Sequence, residues 1–178
     1  MIDPLFDPGD FRIPPDVAHV CAGGETPFLR RHDAALRRYA EHKSAGPEGR
    51  TAMQDRVDTA RRLAARSWNV DADDLGFVGN VAEGVSMVAE SLDWRPGDTV
   101  CVDPNEYPSV VGPFGLQRRP PVALRFTEGD DPGRYARAVD QRTRVIAASC
   151  VSYLTGERLD LTALRQAADC VGRACRGA

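Results

Sequence analysis

Lysine is almost missing from this chain. Of its 23 basic residues only Lys43 is a lysine, and the others are arginines. Arginine stays charged and almost never serves as a proton shuttle or Schiff-base nucleophile, the roles lysine usually fills. Any amine chemistry here would have to use Lys43, which reads as a surface residue at a frayed helix end, or the N-terminus. A basic excess is absent too: the net charge is -3 and the isoelectric point near 5.6, which argues against a dedicated nucleic-acid binder. No apolar run approaches the roughly 18 residues of a membrane span. The opening MIDPLFDPGDFRIPPD lacks the basic start and apolar core of a signal peptide, so a cytoplasmic protein without a membrane partner is expected. The five cysteines (Cys21, Cys101, Cys150, Cys170 and Cys175) are odd in number and show no CxxC spacing. Cys101 and Cys150 lie in apolar, strand-like runs and read as small buried hydrophobes, and no metal site is expected. Neither GxGxxG nor GxxxxGK[ST] occurs, which weighs against a nucleotide-binding α/β domain.

What is present is ordinary for a globular chain of 178 residues, with 42% hydrophobic and 28% charged residues, enough for one sizeable core. Residues 1–25 are rich in proline and glycine and read as extended, with a short strand at Val17–Cys21. Thr26-Pro27 reads as a helix N-cap and first turn. That helix carries Phe28, Leu29, Leu36, Tyr39 and Ala40 until SAGPEG breaks it. The next, about Thr51 to Trp68, places Met53, Val57, Ala60, Ala64 and Trp68 near one face. From Leu75 onward strands and helices alternate. Strands are expected at Leu75–Val78, Thr99–Val102, Val122–Phe126 and Arg144–Cys150, the last of the apolar kind found in central parallel strands. Helices are expected after Asn80, over Glu106–Gln117 and Pro132–Val139, and after Asp160, where Leu161, Leu164, Ala168 and Val171 share a face. Such alternation predicts a three-layer α/β/α fold with a mostly parallel sheet.

The segment Leu75–Leu92, LGFVGNVAEGVSMVAESL, delivers a strand through Gly79-Asn80 directly into a helix. Asn80 suits the N-cap and Glu83 follows three residues on, in a variant of the capping box. The unpaired N–H groups of such a turn and the positive end of the helix dipole make a site for a phosphate or carboxylate, although many helices start this way as simple caps. Ligands of open α/β sheets gather outside the carboxyl ends of the strands. The residues placed there are Asn80, Val81 and Ala82; then Asp103, Asn105, Glu106 and Tyr107; then Ser152, Tyr153, Thr155 and Gly156. An anion cradle, an aromatic ring and a hydroxyl-rich turn at one rim suit a planar, phosphorylated, aromatic ligand.

At these motifs the sequence resembles the class V aminotransferases, pyridoxal-phosphate enzymes of fold type I, a group that also holds the cysteine desulfurases, kynureninase and isopenicillin-epimerase-like proteins. FVGNVAEGVSMVAESLDWRPGDTV is similar to the family's strand, phosphate loop and helix with the strand that follows. DPNEYPSVVGPF resembles its segment with a Glu-His or Glu-Tyr pair, and ASCVSYLTGERLDLTAL its strand end and turn. AGGETPFL (Ala22–Leu29) resembles the N-terminal active-site loop. The resemblance covers roughly residues 18–169. It implies an incomplete large domain over 26–169, preceded by an extended segment 1–25 and followed by an atypical tail, 170–178.

By that resemblance, the backbone N–H groups of Val81 and Ala82 behind Asn80 would hold the phosphate of pyridoxal phosphate. Tyr107 would stack on the pyridine ring, or else be a strand-edge core tyrosine. Tyr153 stands where many relatives have an asparagine near the ring's phenolic oxygen, and Ala82 where many have a phosphate-binding threonine. The family's acid that pairs with the pyridine nitrogen and its Schiff-base lysine come after the helix beginning at Leu161, so no catalytic residue is assigned here. The resemblance therefore implies the N-terminal fragment of an enzyme acting on amino acids, inactive alone and working as a homodimer or with a C-terminal half. The alternative is a non-catalytic binding module or one half of a split enzyme.

Overall fold

The computed structural model describes residues 7–21, 23–117 and 120–174, with side chains to residue 169. Ala22 of the expected N-terminal loop, residues 1–6, and the tail residues 175–178 with Cys175 lie outside the described residues, as do the side chains of Cys170 and Val171. The chain forms two compact units, Met1–Gly76 and Phe77–Ala178.

The first unit is a helical hairpin. α1 spans Arg31–Ser44 and α2 spans Gly46–Trp68, packed against each other. α1 begins later than Thr26-Pro27 predicts, because the chain before it is committed to an extended pairing. Arg12 N–H donates to the Phe28 carbonyl and Arg30 N–H to the Asp10 carbonyl, both at 2.8 Å, around a Phe11–Leu29 bridge. α2 begins at Gly46 rather than Thr51, since Pro47 in the first turn needs no helical acceptor for its nitrogen. The expected strand at Val17–Cys21 is irregular chain. α2 ends at Asn69, which takes the left-handed conformation with φ 54°. No described helix is long and apolar enough to cross a membrane.

The second unit is a three-layer α/β/α arrangement around a parallel sheet. α3 (Val81–Ser91) leads through the turn Arg95–Asp98 into β1 (Thr99–Val102). The turn holds Gly97 at φ 92° and is closed by Asp98 N–H on the Arg95 carbonyl at 3.0 Å. α4 (Pro108–Gly115), β2 (Ala123–Phe126), α5 (Arg134–Ala138), β3 (Thr143–Ala147) and α6 (Leu161–Ala174) follow. α4 starts two residues after the expected Glu106, because Tyr107 precedes a proline and is held extended.

The strand order is β2-β1-β3, with both pairings parallel. The central place belongs to β1, not to the Arg144–Cys150 run, and all of β1 after Thr99 is buried. Val100 and Val102 join Ala89, Trp94, Phe114, Val122 and Ala147 in one core beneath α3 and α4. Trp94 is anchored there by its indole N–H on the Ala89 carbonyl at 2.7 Å, with its ring edge-to-face against Phe114. Cys101, between the two valines, faces the other way, on the side where α5 packs on β1 and α6 packs on α5. Among the described side chains of α6, Leu164 is half-buried as expected, whereas Leu161 and Ala168 are exposed and Ala167 is buried instead. Cys150 lies beyond the end of β3 and is exposed, whereas Cys101 is fully buried as expected.

Candidate functional site

The expected strand at Leu75–Val78 is irregular chain, and Phe77 and Val78 are exposed. A strand needs a neighbour on its hydrogen-bonding edge, and the described sheet ends at β2 and β3. The turn after it forms as read. Asn80 is the N-cap of α3, its Oδ1 accepting Glu83 N–H at 2.9 Å. The Glu83 carboxylate reaches back past the cap to accept Gly79 N–H at 2.7 Å. The N–H groups of Val81 and Ala82, in the first turn, have no helical acceptor and stand at the positive end of α3. Glu83 thus supplies one anion to the turn, at Gly79, and among the described residues Val81 and Ala82 N–H are left without an acceptor.

The other two motifs meet directly. The rings of Tyr107, after β1, and Tyr153, after β3, are edge-to-face with centroids 4.9 Å apart and planes at 90°. Both side chains are about half exposed. Tyr107 is therefore not a core residue. It is the N-cap of α4, and α4 packs against α3, the helix that Asn80 caps.

Tyr153 rides on a tight hairpin. Ser152 N–H donates to the Glu157 carbonyl at 2.8 Å and Leu159 N–H to the Cys150 carbonyl at 2.9 Å, around a Val151–Arg158 bridge. Gly156 closes it with φ 74°, a conformation that favours glycine, and its N–H donates to the Ser152 carbonyl at 3.0 Å. The Ser152 hydroxyl accepts Thr155 N–H at 3.2 Å. Ser152 and Thr155 thus shape the turn itself.

Beside this hairpin lies a cleft of about 360 Å³ bordered by Asp103, Asn105, Glu106, Arg134, Ser149 and Glu157 among others. Arg134, only 3% exposed, organises it. Its Nη1 and Nη2 donate to the two Glu157 oxygens at 2.9 Å each, its Nε donates to Asp103 at 3.1 Å, and Nη1 also reaches the Asp130 carbonyl at 3.0 Å. The paired Glu157 carboxylate raises the Arg134 pKa further, against the opposing effect of burial. Nothing in the sequence marked Arg134, one of many arginines on apparent helix surfaces. Glu157 carried a weak signal, directly after the Gly156 turn. Among the described residues no group of three His, Cys, Asp or Glu side chains is arranged to hold a metal ion.

The relatives and structural neighbours it matches make this a class V aminotransferase-like chain with the pyridoxal-phosphate-dependent fold of type I. It is 31% identical over 122 residues to a probable cysteine desulfurase of Methanothermobacter thermautotrophicus, covering 66% of this chain and 30% of the relative. It is 30% identical over 143 residues to an uncharacterized protein of Schizosaccharomyces pombe, covering 77% of this chain and 33% of that protein. The chain thus spans about a third of the length of the curated relatives it matches. Among solved structures, a C-DES mutant with glycine covalently linked to its PLP cofactor superposes with a TM-score of 0.73 at 23% identity. The complex of the cystine C-S lyase C-DES with cysteine persulfide does so equally, each covering 82% of this chain and 41% of the other. No family model matches the chain.

Proposed function

We propose that this chain carries the phosphate and ring-stacking side of a pyridoxal-phosphate site in a class V aminotransferase-like enzyme acting on amino acids. The observation that carries this reading is the Tyr107–Tyr153 ring contact. It brings together two loops that leave the carboxyl ends of adjacent parallel strands, where such folds gather ligands. The residues fit the group: Val81 and Ala82 offer two first-turn N–H donors to a phosphate, Asn80 fixes that turn, and the half-exposed Tyr107 ring offers a face to a planar heterocycle. The bound cofactor would supply an electron sink for bonds at the amino-acid α-carbon.

These 178 residues hold one lysine, Lys43, on α1 of the other unit. The chain alone is therefore proposed to bind cofactor without turning over amino acids. Completion would come from a second copy or from a C-terminal half, and the setting would be cytoplasmic. Split-enzyme assembly is favoured by one observation: in the described sheet the outer edges of β2 and β3 have no partner strand.

Titration with pyridoxal phosphate, followed by tyrosine-fluorescence quenching and competed with inorganic phosphate, tests the reading. Saturable binding is expected, weakened by Tyr107→Ala. Ala82→Thr, which adds a hydroxyl donor worth about 1 kcal/mol, is expected to tighten binding about fivefold. Absence of saturable binding at millimolar cofactor would overturn it.

A further inference from the structure

Glu106 joins the exits of the two adjacent strands. Its Oε2 accepts Ser149 N–H at 2.6 Å. Its Oε1 accepts the Ser149 hydroxyl at 2.6 Å and Tyr107 N–H at 2.7 Å. One carboxylate thus holds the backbone of the residue that bears the first ring and a residue 43 positions later in the chain.

Both points run into hydrogen-bonded chain. The Tyr107 carbonyl accepts Val110 N–H at 2.9 Å and is followed by Pro108, so its backbone is fixed on both sides. Ser149 leads at once into the hairpin held by the Cys150–Leu159 and Ser152–Glu157 bonds, and that hairpin carries Tyr153. Among the described residues the tyrosine hydroxyls make no hydrogen bond, so no described group at the ring tips sets their geometry. A ring–ring contact alone is worth only about 1 kcal/mol and cannot align two loops by itself. Hydrogen bonds to a charged group are stronger than neutral ones, and three converge here.

We infer that Glu106 is a positioning residue: it fixes the spacing of the two loops and so holds the Tyr107 and Tyr153 rings in their edge-to-face contact. Its bearing on ligand binding rests on the reading of Tyr107 as the ring platform. Its bearing on the rings does not.

The test uses the full chain with isotope-labelled tyrosine. Nuclear Overhauser signals between the Tyr107 and Tyr153 rings are recorded without ligand, and pyridoxal phosphate is then titrated. Glu106→Ala is expected to abolish the ring–ring signals and weaken cofactor binding about tenfold. Glu106→Gln keeps one acceptor oxygen but sets its amide against Ser149 N–H, so it is expected to recover only part of both readouts. Arg125→Ala, which removes an ion pair with Asp140, is the control expected to change neither. Should Glu106→Ala fail to fold, Ser149→Ala removes only the hydroxyl bond and is expected to weaken the ring–ring signals. Unchanged ring–ring signals in whichever of these two variants is folded overturn the inference. If Glu106→Ala abolishes the Overhauser signals while even the parent chain binds no cofactor, the positioning role stands and the functional reading is the one that sinks.

Discussion

Arg134 and Glu157 lie side by side, joined by two parallel hydrogen bonds of 2.9 Å. The arginine is buried in α5 while the glutamate closes the hairpin after β3, so the pair clamps the Tyr153 turn onto the body of the sheet. Arg134 also neutralises Asp103 at the end of β1. Replacing it by methionine keeps most of the packing and leaves two carboxylates without their cation. Breaking a fully buried pair from one side costs about 3 kcal/mol or more; the carboxylates left here are 36% (Glu157) and 20% (Asp103) exposed, so solvent reduces the cost to about 2 kcal/mol. Arg134→Met is therefore expected to lower the unfolding free energy measured in urea by that amount and to expose the 150–159 hairpin to hydrogen exchange. Glu157→Gln, at the more exposed end, should cost less.

In the helical hairpin, Gly49 is where α2 passes the end of α1. A Cβ built there would stand 1.8 Å from the His42 carbonyl oxygen, which is backbone and cannot swing away. Gly49→Ala, favourable by helix propensity alone, is expected instead to destabilise the hairpin by at least about 2 kcal/mol, as overpacking does. Hydrogen exchange on the full chain would localise the loss to α1 and α2.

Cys101 is fully buried at the centre of the sheet, and burial pushes its thiol from 9.0 up to about 11. The folded state holds the proton more tightly than the unfolded chain. The resulting stability is complete below the unfolded value and is lost as pH rises from about 9 through about 11. Tyr135, pushed up to about 12 mainly by burial, adds to the same trend at higher pH. Cys101→Ala should cost about 1 kcal/mol at neutral pH and flatten the first part of the alkaline loss. Alkylation mapped by mass spectrometry should modify Cys21 and Cys150, both exposed, well before Cys101.

The acid side has a different owner. Hydrogen bonds from Arg137 hold the Asp131 carboxyl down at about 2, below its usual 3.8. Its contribution is present above the unfolded value and disappears as pH falls from about 4 through about 2. Asp131→Asn is expected to be nearly silent near neutrality, because the pair is exposed and screened, and to remove part of the slope of stability in that acid window. An unchanged slope would assign it to other carboxylates.

Local chemistry was legible wherever a residue acts on its own neighbours. Thr99–Val102 forms β1 as read, because the Pro96-Gly97 turn ends the preceding segment and the apolar β-branched run cannot stay in water. Asn80 caps α3, and Asp160 caps α6 by accepting Thr162 and Ala163 N–H, for the same local reason. Readings that needed a distant partner fared differently. Leu75–Val78 has the composition of a strand and, among the described residues, no strand beside it. Thr26-Pro27 has the chemistry of a helix start, but residues 28–30 are held extended by residues 10–12. Cys150 sits in an apolar run yet falls past the last ladder bond of β3 and is exposed.

The sequence by itself determined the alternation of strands and helices from Thr99 onward, the caps at Asn80 and Asp160, and the loops with Asn80, Tyr107 and Tyr153, since periodicity and capping depend on residues a few positions apart. Only the tertiary structure decided that β1 is central, that Tyr107 and Tyr153 touch, and that Glu106 and Arg134 hold their loops in place. Those arrangements join residues 23 to 46 positions apart. They follow from how the chain crosses the sheet, and no short-range pattern encodes which carboxylate will meet which donor once it has crossed.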